Sequence, residues 1–417
     1  MSMRSALVPS LAALCLLGGA AAARAAAPVA LTSSSKAAIL MDAASGRVLY
    51  AVNEHEALPP ASVTKIMTLV LALEALERGE ISLDELVVGS EYAASMGGTQ
   101  IWLEPGEQLP MREILYAIAV GSANDAAVAL AEHLAGSEAA FVEMMNARAR
   151  ELGMKNTQFA NSTGLPPEAI GAPPTARHVM SAYDIALLSR HALSVPHFLE
   201  MVSTYGPVVM RPETKRQPEL FNFNKMLRTY PGVDGIKTGM TSQAGYCLAA
   251  TAKRDHLRLI AVSMGAPTAA ERNRDVAAML DWGFAQYRAI PIAEAAQTVG
   301  EAPVRKGTQE TVKAVAARDL AITVPKRERV EPVAEVQWLP GLTAPIKKGE
   351  RVGTLVVRMG EAEVGRVDLL AAADVGRASL WQLIARAAGR LFGGFATPQN
   401  APPAASLLPA GLIRPTA

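Results

Sequence analysis

Disulfide-forming cysteines, metal-ligand clusters and an excess of one charge are all missing from this 417-residue chain. Its two cysteines, Cys15 and Cys247, are too few for a disulfide framework. Its six histidines are scattered, and His178 has no Cys, Asp or Glu at ligand spacing, which argues against a metal and against metal catalysis. Forty basic and 39 acidic residues leave a formal charge of +1, without the strongly basic domain that nucleic-acid binding requires. No internal repeat is present.

Half of the residues are hydrophobic, so sizeable cores can be buried, and the length suggests two or three domains. Residues 1–27 read as a secretory signal peptide. Arg4 supplies a small positive start, Ala6 to Ala22 is apolar, and Ala23-Arg24-Ala25-Ala26-Ala27 offers small-residue cleavage sites. The apolar core is short for a membrane span. Leu14 sits where a lipoprotein signal would want a small residue before Cys15, so that reading is rejected. Cleavage would remove Cys15 and leave Cys247 as a buried, inert thiol in an apolar run. The expectation is an exported protein whose fold does not depend on disulfides.

Residues 37–52 alternate around Ala44-Ser45-Gly46 and predict a β-hairpin. After Pro59-Pro60, the run from Ser62 predicts a helix reaching about Arg78 and closed by Gly79. Residues 81–110 look irregular. Helices are expected over Met111 to Ala119, Asp125 to Leu134, 138–152, Ala182 to Ala192 and Glu271 to Tyr287, with Trp282 and Phe284 assigned to the core. Strands are expected at Val208 to Met210, Gly235 to Thr238, 246–252 and 257–264. This order fits an α/β-type, or α+β, domain with an antiparallel sheet and a helical layer over 28–290. From Ile290-Pro291 the pattern changes to short β-prone runs (Thr311 to Ala316, Leu320 to Val324, Val333 to Trp338, Arg351 to Arg358, Ala362 to Leu369), a small all-β domain over 291–375. Residues 377–395 then form an amphipathic helix. Ser379, Gln382, Arg386 and Arg390 fall on one side and Leu380, Trp381, Ile384, Leu391 and Phe395 on the other, which suits a membrane interface. A helix docked on the β-rich domain is the competing reading. The Pro/Ala-rich tail 397–417 is expected to be disordered.

Ser62-Val63-Thr64-Lys65 places a hydroxyl and an amine three residues apart, on one helix face. Alone, such a pair is usually a helix cap beside an exposed lysine; with partners it is a nucleophile beside its base. The chain supplies Ser122-Ala123-Asn124 in a turn between two helices and Lys237-Thr238-Gly239 in a strand. The three triplets together, in this order, match the signature of active-site serine enzymes that react with penicillin. On these motifs the chain resembles the low-molecular-mass penicillin-binding proteins, D-alanyl-D-alanine carboxypeptidases of the serine peptidase type. The resemblance covers nearly the whole mature chain. It includes Asn161-Ser162-Thr163-Gly164-Leu165, Tyr183-Asp184-Ile185-Ala186, and Asp234-Gly235-Ile236 running into Lys237.

The resemblance implies a fold like that of the serine β-lactamases and penicillin-binding proteins, and a set of roles without any cofactor. Ser62 would be the nucleophile, Lys65 its base, and Ser122 the proton relay to the departing amine. Asn124 would hold the substrate amide; Lys237, Thr238 and Arg272 would bind the terminal carboxylate. Gly239 would let the backbone approach the substrate, and the N–H groups of Ser62 and Met240 would form the oxyanion hole. Met240 departs from the histidine or phenylalanine frequent in relatives. The implied partners are the peptidoglycan peptide, β-lactams as covalent inhibitors, and the inner-membrane surface through 377–395. A class A-like β-lactamase would need a glutamate and an asparagine four apart, whereas Glu151 precedes Lys155 and Glu168 precedes Ala172. A D,D-endopeptidase and a catalytically silent periplasmic binding module remain as alternatives. Asp234 is open between a turn residue and an active-site group.

Overall fold

The computed structural model describes residues 33–171, 173, 175–211 and 218–392. The expected signal peptide, residues 393–395 of the expected amphipathic segment and the Pro/Ala-rich tail lie outside the described residues.

The chain opens with the hairpin β1 (Ala37–Asp42) and β2 (Val48–Val52), turned by Gly46. A 3-10 turn, Ala61–Thr64, runs into α1 (Lys65–Glu77). The segment that lacked any periodic pattern contains three short elements: β3 (Leu86–Val88), α2 (Glu91–Ala94) and β4 (Gln108–Pro110). They are too short to set up a periodicity of their own. Then come α3 (Met111–Ala119), α4 (Asn124–Ala135), α5 (Glu138–Glu151), α6 (Ala182–Ala192) and α7 (Phe198–Ser203). The short β5 (Val208–Val209), β6 (Glu219–Leu220) and α8 (Met226–Thr229) lead to three long strands, β7 (Val233–Thr241), β8 (Gly245–Arg254) and β9 (Leu257–Ala266). The helix α9 (Ala269–Gln286) follows, its N-terminus capped by Thr268, whose hydroxyl accepts from the Glu271 N–H at 3.1 Å.

These elements build an antiparallel five-stranded sheet in the order β2-β1-β9-β8-β7. The sheet is buried on both faces, and the alternation of its side chains shows why. Ile39, Met41, Ile260 and Val262 enter the large core shared with α1, α3, α4 and α6, while Leu40 and Leu259 turn to the other face and pack on α9 at Gly283. Within the helical layer the first two turns of α4 are enclosed on all sides; Ala126 to Ala131 are all buried, and small residues let its neighbours approach closely.

Beyond α9 come β10 (Tyr287–Ala293), β11 (Thr298–Pro303), β12 (Thr311–Ala316), β13 (Leu320–Pro325), β14 (Val333–Trp338), β15 (Arg351–Met359) and β16 (Ala362–Ala371). They form the sheet β11-β12-β16-β15-β14 and the separate pair β10-β13 around a second core, with Val312, Ile322, Leu355 and Leu369 at its centre. The sequence did not reveal β10 and β11, because Pro291, Gly300 and Pro303 interrupt them; proline is tolerated there since β10 pairs with β13 alone. The change in character seen at Ile290-Pro291 thus falls inside β10. Of the two aromatics assigned to the core, Phe284 is buried beneath Arg254; Trp282 is half-exposed and packs edge-on against Tyr287.

The last described element is α10 (Leu380–Phe392). Arg386 donates from its guanidinium to the carbonyls of Gly307 and Thr308, at 2.7 and 2.6 Å, so the polar side of the helix faces the β-rich domain. Leu380 and Trp381 project outward, 71% and 79% exposed. No helix among the described residues is long and apolar enough to cross a membrane.

Candidate active site

Ser62 lies on the 3-10 turn that leads into α1, not in the first turn of an α-helix as its sequence pattern suggested. With three residues per turn, side chains three apart eclipse, which stacks Lys65 directly against Ser62. The turn is strained: Ala61 has φ +49°, in the left-handed region that costs a residue with a Cβ about 1–2 kcal/mol. Two glycines hold it from either side. A Cβ on Gly164 would lie 1.9 Å from the Ala61 carbonyl oxygen, and one on Gly239 would lie 2.7 Å from that of Pro60 and 3.1 Å from the Ser62 nitrogen. The need for glycine at 239 is therefore set by the chain's own nucleophile turn, and close approach of a substrate is not required to explain it. β7 is an edge strand, and it lies against this turn.

Lys65 is wholly buried. Its Nζ lies 2.6 Å from Asn124 Oδ1, 2.7 Å from the Thr163 carbonyl oxygen and 3.2 Å from Ser62 Oγ. Burial, and then the nearby Lys237 ammonium, hold its pKa well below the ordinary lysine value, against the opposing pull of Asp125 and Glu138. A neutral amine has two hydrogens and one lone pair. It can donate to the two carbonyl oxygens and turn the lone pair to the serine hydroxyl; once protonated, it can donate to all three. One set of neighbours thus serves the base before proton transfer and the acid after it.

Ser122, Ala123 and Asn124 form the sharp turn between α3 and α4, and all three are buried. Ser122 has φ +55°. The turn is bonded to the segment 97–103: Asn124 N–H donates to the Thr99 carbonyl (2.7 Å), Thr99 Oγ1 to the Ser122 carbonyl (2.7 Å), and Asn124 Nδ2 to the Gly97 carbonyl (2.6 Å). Asp125 completes the clamp by accepting from the N–H groups of Ile101 and Leu103 at 3.0 Å. With Asn124 bonded at both ends, its Oδ1 and Nδ2 each keep one further hydrogen-bonding position.

On the opposite wall, Lys237 and Thr238 are buried in β7. Burial and the neighbouring Arg272 push Lys237 down to about 7. Arg272, on α9, is itself lowered by burial; it donates to the Cys247 carbonyl (3.4 Å) and to Asn273 Oδ1. Two basic groups side by side, with no carboxylate on either among the described residues, make this wall a receptor for an anion. Met240 follows at the rim, 57% exposed. Cys247 is buried, and its thiol is pushed up to about 11, which keeps it unreactive. Asp234 is settled as neither a turn residue nor an active-site group: it lies in β7 and pairs with Arg258 through both oxygens at 2.7 and 2.8 Å.

Several contributors are given no role by the sequence pattern. Asn161 Oδ1 accepts from the N–H groups of Thr163 and Gly164, which folds the loop so that the Thr163 carbonyl meets Lys65. Glu138 accepts from the N–H and hydroxyl of Ser162 and anchors that loop to α5. His178 accepts the Ala160 N–H at Nδ1, so its Nε2 carries the proton and donates to Thr64 Oγ1 at 2.7 Å; burial and Lys65 push its pKa down to about 3. Its role is that of a neutral bracket for the residue before Lys65. Among the described residues no group of His, Cys, Asp and Glu side chains could hold a metal ion.

Comparison with known proteins gives the same picture at the level of the whole chain. The D-alanyl-D-alanine carboxypeptidase family model matches residues 21–268, and the model of the C-terminal domain of penicillin-binding protein 5 matches residues 287–377. The chain is 41% identical to D-alanyl-D-alanine carboxypeptidase DacF of Bacillus subtilis, over 85% of this chain and 89% of that one. Penicillin binding protein 5 of Haemophilus influenzae is 32% identical, with a TM-score of 0.62, over 83% of this chain and 98% of that one. Penicillin-Binding Protein D2 of Listeria monocytogenes, solved in its ampicillin-bound form, is 32% identical with a TM-score of 0.51, over 61% of this chain and 98% of that one. Strand order, the two cores and the Ser62 turn therefore sit in a familiar frame: the chain belongs to the D-alanyl-D-alanine carboxypeptidase family, among the low-molecular-mass penicillin-binding proteins.

Proposed function

We propose that this enzyme removes the terminal D-alanine from peptidoglycan pentapeptides through an acyl-enzyme on Ser62. The observation that carries the reading is Lys65, buried and 3.2 Å from the Ser62 hydroxyl, with a second ammonium nearby to keep it neutral. The extended peptide adds to the free edge of β7, and its terminal carboxylate meets Lys237, Thr238 and Arg272. Ser62 Oγ attacks the carbonyl of the penultimate D-alanine and its proton passes to Lys65. The oxyanion forms between the N–H groups of Ser62 and Met240. Ser122 hands a proton to the departing nitrogen as the C–N bond breaks, D-alanine leaves, and water, activated by the same amine, hydrolyses the ester. Asn124 holds the substrate amide through the positions it keeps free. A β-lactam presents a strained amide to the same serine and acylates it.

Mass spectrometry of the protein incubated with benzylpenicillin tests this directly. A gain of one penicillin mass, mapped to the peptide that contains Ser62, is expected; an adduct elsewhere, or none on folded protein, overturns the assignment.

The two buried lysines fix the pH dependence. Lys65 must be neutral to accept a proton, so turnover rises with pH through its lowered pKa. Lys237 must be charged to hold a carboxylate, so turnover of the free-acid peptide falls as pH rises past about 7. A bell-shaped kcat/KM profile is expected, with two apparent pKa values that belong to the coupled pair. A substrate with its terminal carboxylate amidated should lose the alkaline limb. An alkaline limb of the same depth with that substrate would remove Lys237 from carboxylate binding.

The chain is read as exported, with catalytic residues 28–290, a β-rich domain 291–375, and α10 lying on the membrane surface. The outward-facing Leu380, Trp381 and Ile384, opposite the docked Arg386, support this. The mature chain should sediment with anionic lipid vesicles, and a chain ending at Gly376 should remain in the supernatant. Equal sedimentation of both would sink the anchoring role.

A further inference from the structure

A cleft of about 390 Å³ lies between the β1–β2 turn, α6 and the β-rich domain, and none of its lining residues belongs to the Ser62 site. Four arginines line it. Arg47 comes from the hairpin turn, Arg190 from the end of α6, Arg318 from the β12–β13 turn and Arg366 from β16. Among the described residues only Arg366 of the four is matched by a carboxylate, with Glu363 accepting from its Nε and Nη2. The others are fixed by neutral groups. Arg190 donates to the carbonyls of Ala43 and Ala44, each at 2.9 Å, and its guanidinium lies 3.3 Å from where a Cβ on Gly46 would stand. Arg318 reaches the Asp319 and Arg366 carbonyls at 3.4 and 3.2 Å, and Arg47 reaches the Thr323 carbonyl at 3.5 Å while lying over the Tyr287 ring. Of the further carboxylates, Asp42 is buried and already accepts from the hydroxyls of Ser45 and Thr323, Asp368 pairs with Arg351, and Asp319 accepts from the Ala295 N–H.

From this arrangement we infer that the cleft is a binding site for a phosphate group, held by Arg47 and Arg190 on one side and by Arg318 on the other. Three guanidiniums that lean on backbone carbonyls, each with N–H groups left over, suit a tetrahedral acceptor with several oxygens better than a planar carboxylate. The volume falls within the range of small-molecule sites, so the phosphate would be one part of a larger ligand. A phosphate here bridges the catalytic domain to the β-rich domain, because its ligands come from both. The residues from Gly365 to Ala371 in β16 carry the chain about 20 Å away from this cleft, towards the end where α10 docks. A lipid headgroup in the membrane under α10 is therefore the less favoured source, and a soluble or wall-polymer phosphate the favoured one.

Calorimetric titration of the mature chain with inorganic pyrophosphate tests the site. One saturable event per chain is expected, weakened by added salt. Arg190→Ala and Arg318→Ala, which sit on opposite sides, should each weaken it by about tenfold. Glu363→Gln should strengthen it, because it frees Arg366; a purely structural set of arginines would not gain affinity in that variant. Benzylpenicillin acylation should be unchanged in all three, which also certifies that each is folded. Vesicles of phosphatidylglycerol with the chain ending at Gly376 separate the sources: binding abolished by Arg190→Ala would assign the site to a headgroup, and its absence leaves soluble phosphate. No saturable binding of pyrophosphate, or equal weakening by the distant control Arg228→Ala, overturns the inference.

Discussion

Replacing Lys65 by arginine is expected to lower penicillin acylation and D-alanine release by about 10³-fold, the range that removal of a general base produces. Arginine keeps a positive charge and hydrogen-bond donors for Asn124 Oδ1 and the Thr163 carbonyl, but it cannot become neutral in a protein. The two properties that Lys65 combines are thus separated, and an unchanged melting temperature excludes the packing of the larger guanidinium as the cause of the defect. Lys65→Ala supplies the complementary measurement. It leaves two carbonyl oxygens unpaired in a buried site, which destabilises the chain by about 1–3 kcal/mol. It also opens a space in which a small primary amine such as methylamine can sit between Asn124, Thr163 and Ser62. Partial recovery of acylation with added amine, growing with the fraction of neutral amine as pH is raised, is expected. Acylation by Lys65→Arg within tenfold of the parent, in protein of unchanged melting temperature, would remove Lys65 from the role of base.

What the sequence disclosed about this site, and what it withheld, follows from the range of the interactions. Ser62 and Lys65 are three residues apart, Ser122 and Asn124 share one turn, and Lys237, Thr238 and Gly239 share one strand; each group is local and carries a pattern. Their joint presence sufficed to identify the family. The helical spacing also gave the principal helices to within a residue or two, since α4, α6 and α9 each display an apolar pattern over at least three turns. By contrast, the lowered pKa of Lys65 depends on burial beneath Thr163 and on a charge from Lys237, both distant in sequence. The neutral state of His178 depends on burial and on Lys65, its tautomer on Ala160, and the pairing of Asp234 depends on Arg258 two strands away. Such contacts leave no periodicity. The 3-10 turn at Ser62 was hidden for a similar reason: its positive φ at Ala61 is imposed by packing, while alanine itself favours a helix. The reason for Gly239 could not be read at all before the strand and the nucleophile turn were seen in contact.

The strain in that turn leads to the second large effect, which is expected for Gly164→Ala. Two separate penalties act at this position. Its φ of +86° disfavours any residue with a Cβ, and that Cβ would stand 1.9 Å from the Ala61 carbonyl oxygen and 2.9 Å from Thr64 Oγ1. Neither neighbour can yield. Ala61 is backbone, confined from the other side by Gly239 in β7, and Thr64 is held by His178. The added methyl group must therefore move the loop 161–165, and with it the Thr163 carbonyl that orients Lys65. A loss of about 2–5 kcal/mol in stability is expected, the overpacking cost of about 1–3 kcal/mol added to the left-handed penalty of about 1–2 kcal/mol, together with a fall in acylation that exceeds what partial unfolding explains. Gly171→Ala is the matched comparison. It has a similar φ of +73° but no atom within 4 Å of the added Cβ, so only the conformational penalty of about 1 kcal/mol applies. The difference between the two melting temperatures isolates the collision with the nucleophile turn; equal shifts, with acylation preserved in both, would show that Gly164 does not brace Ser62.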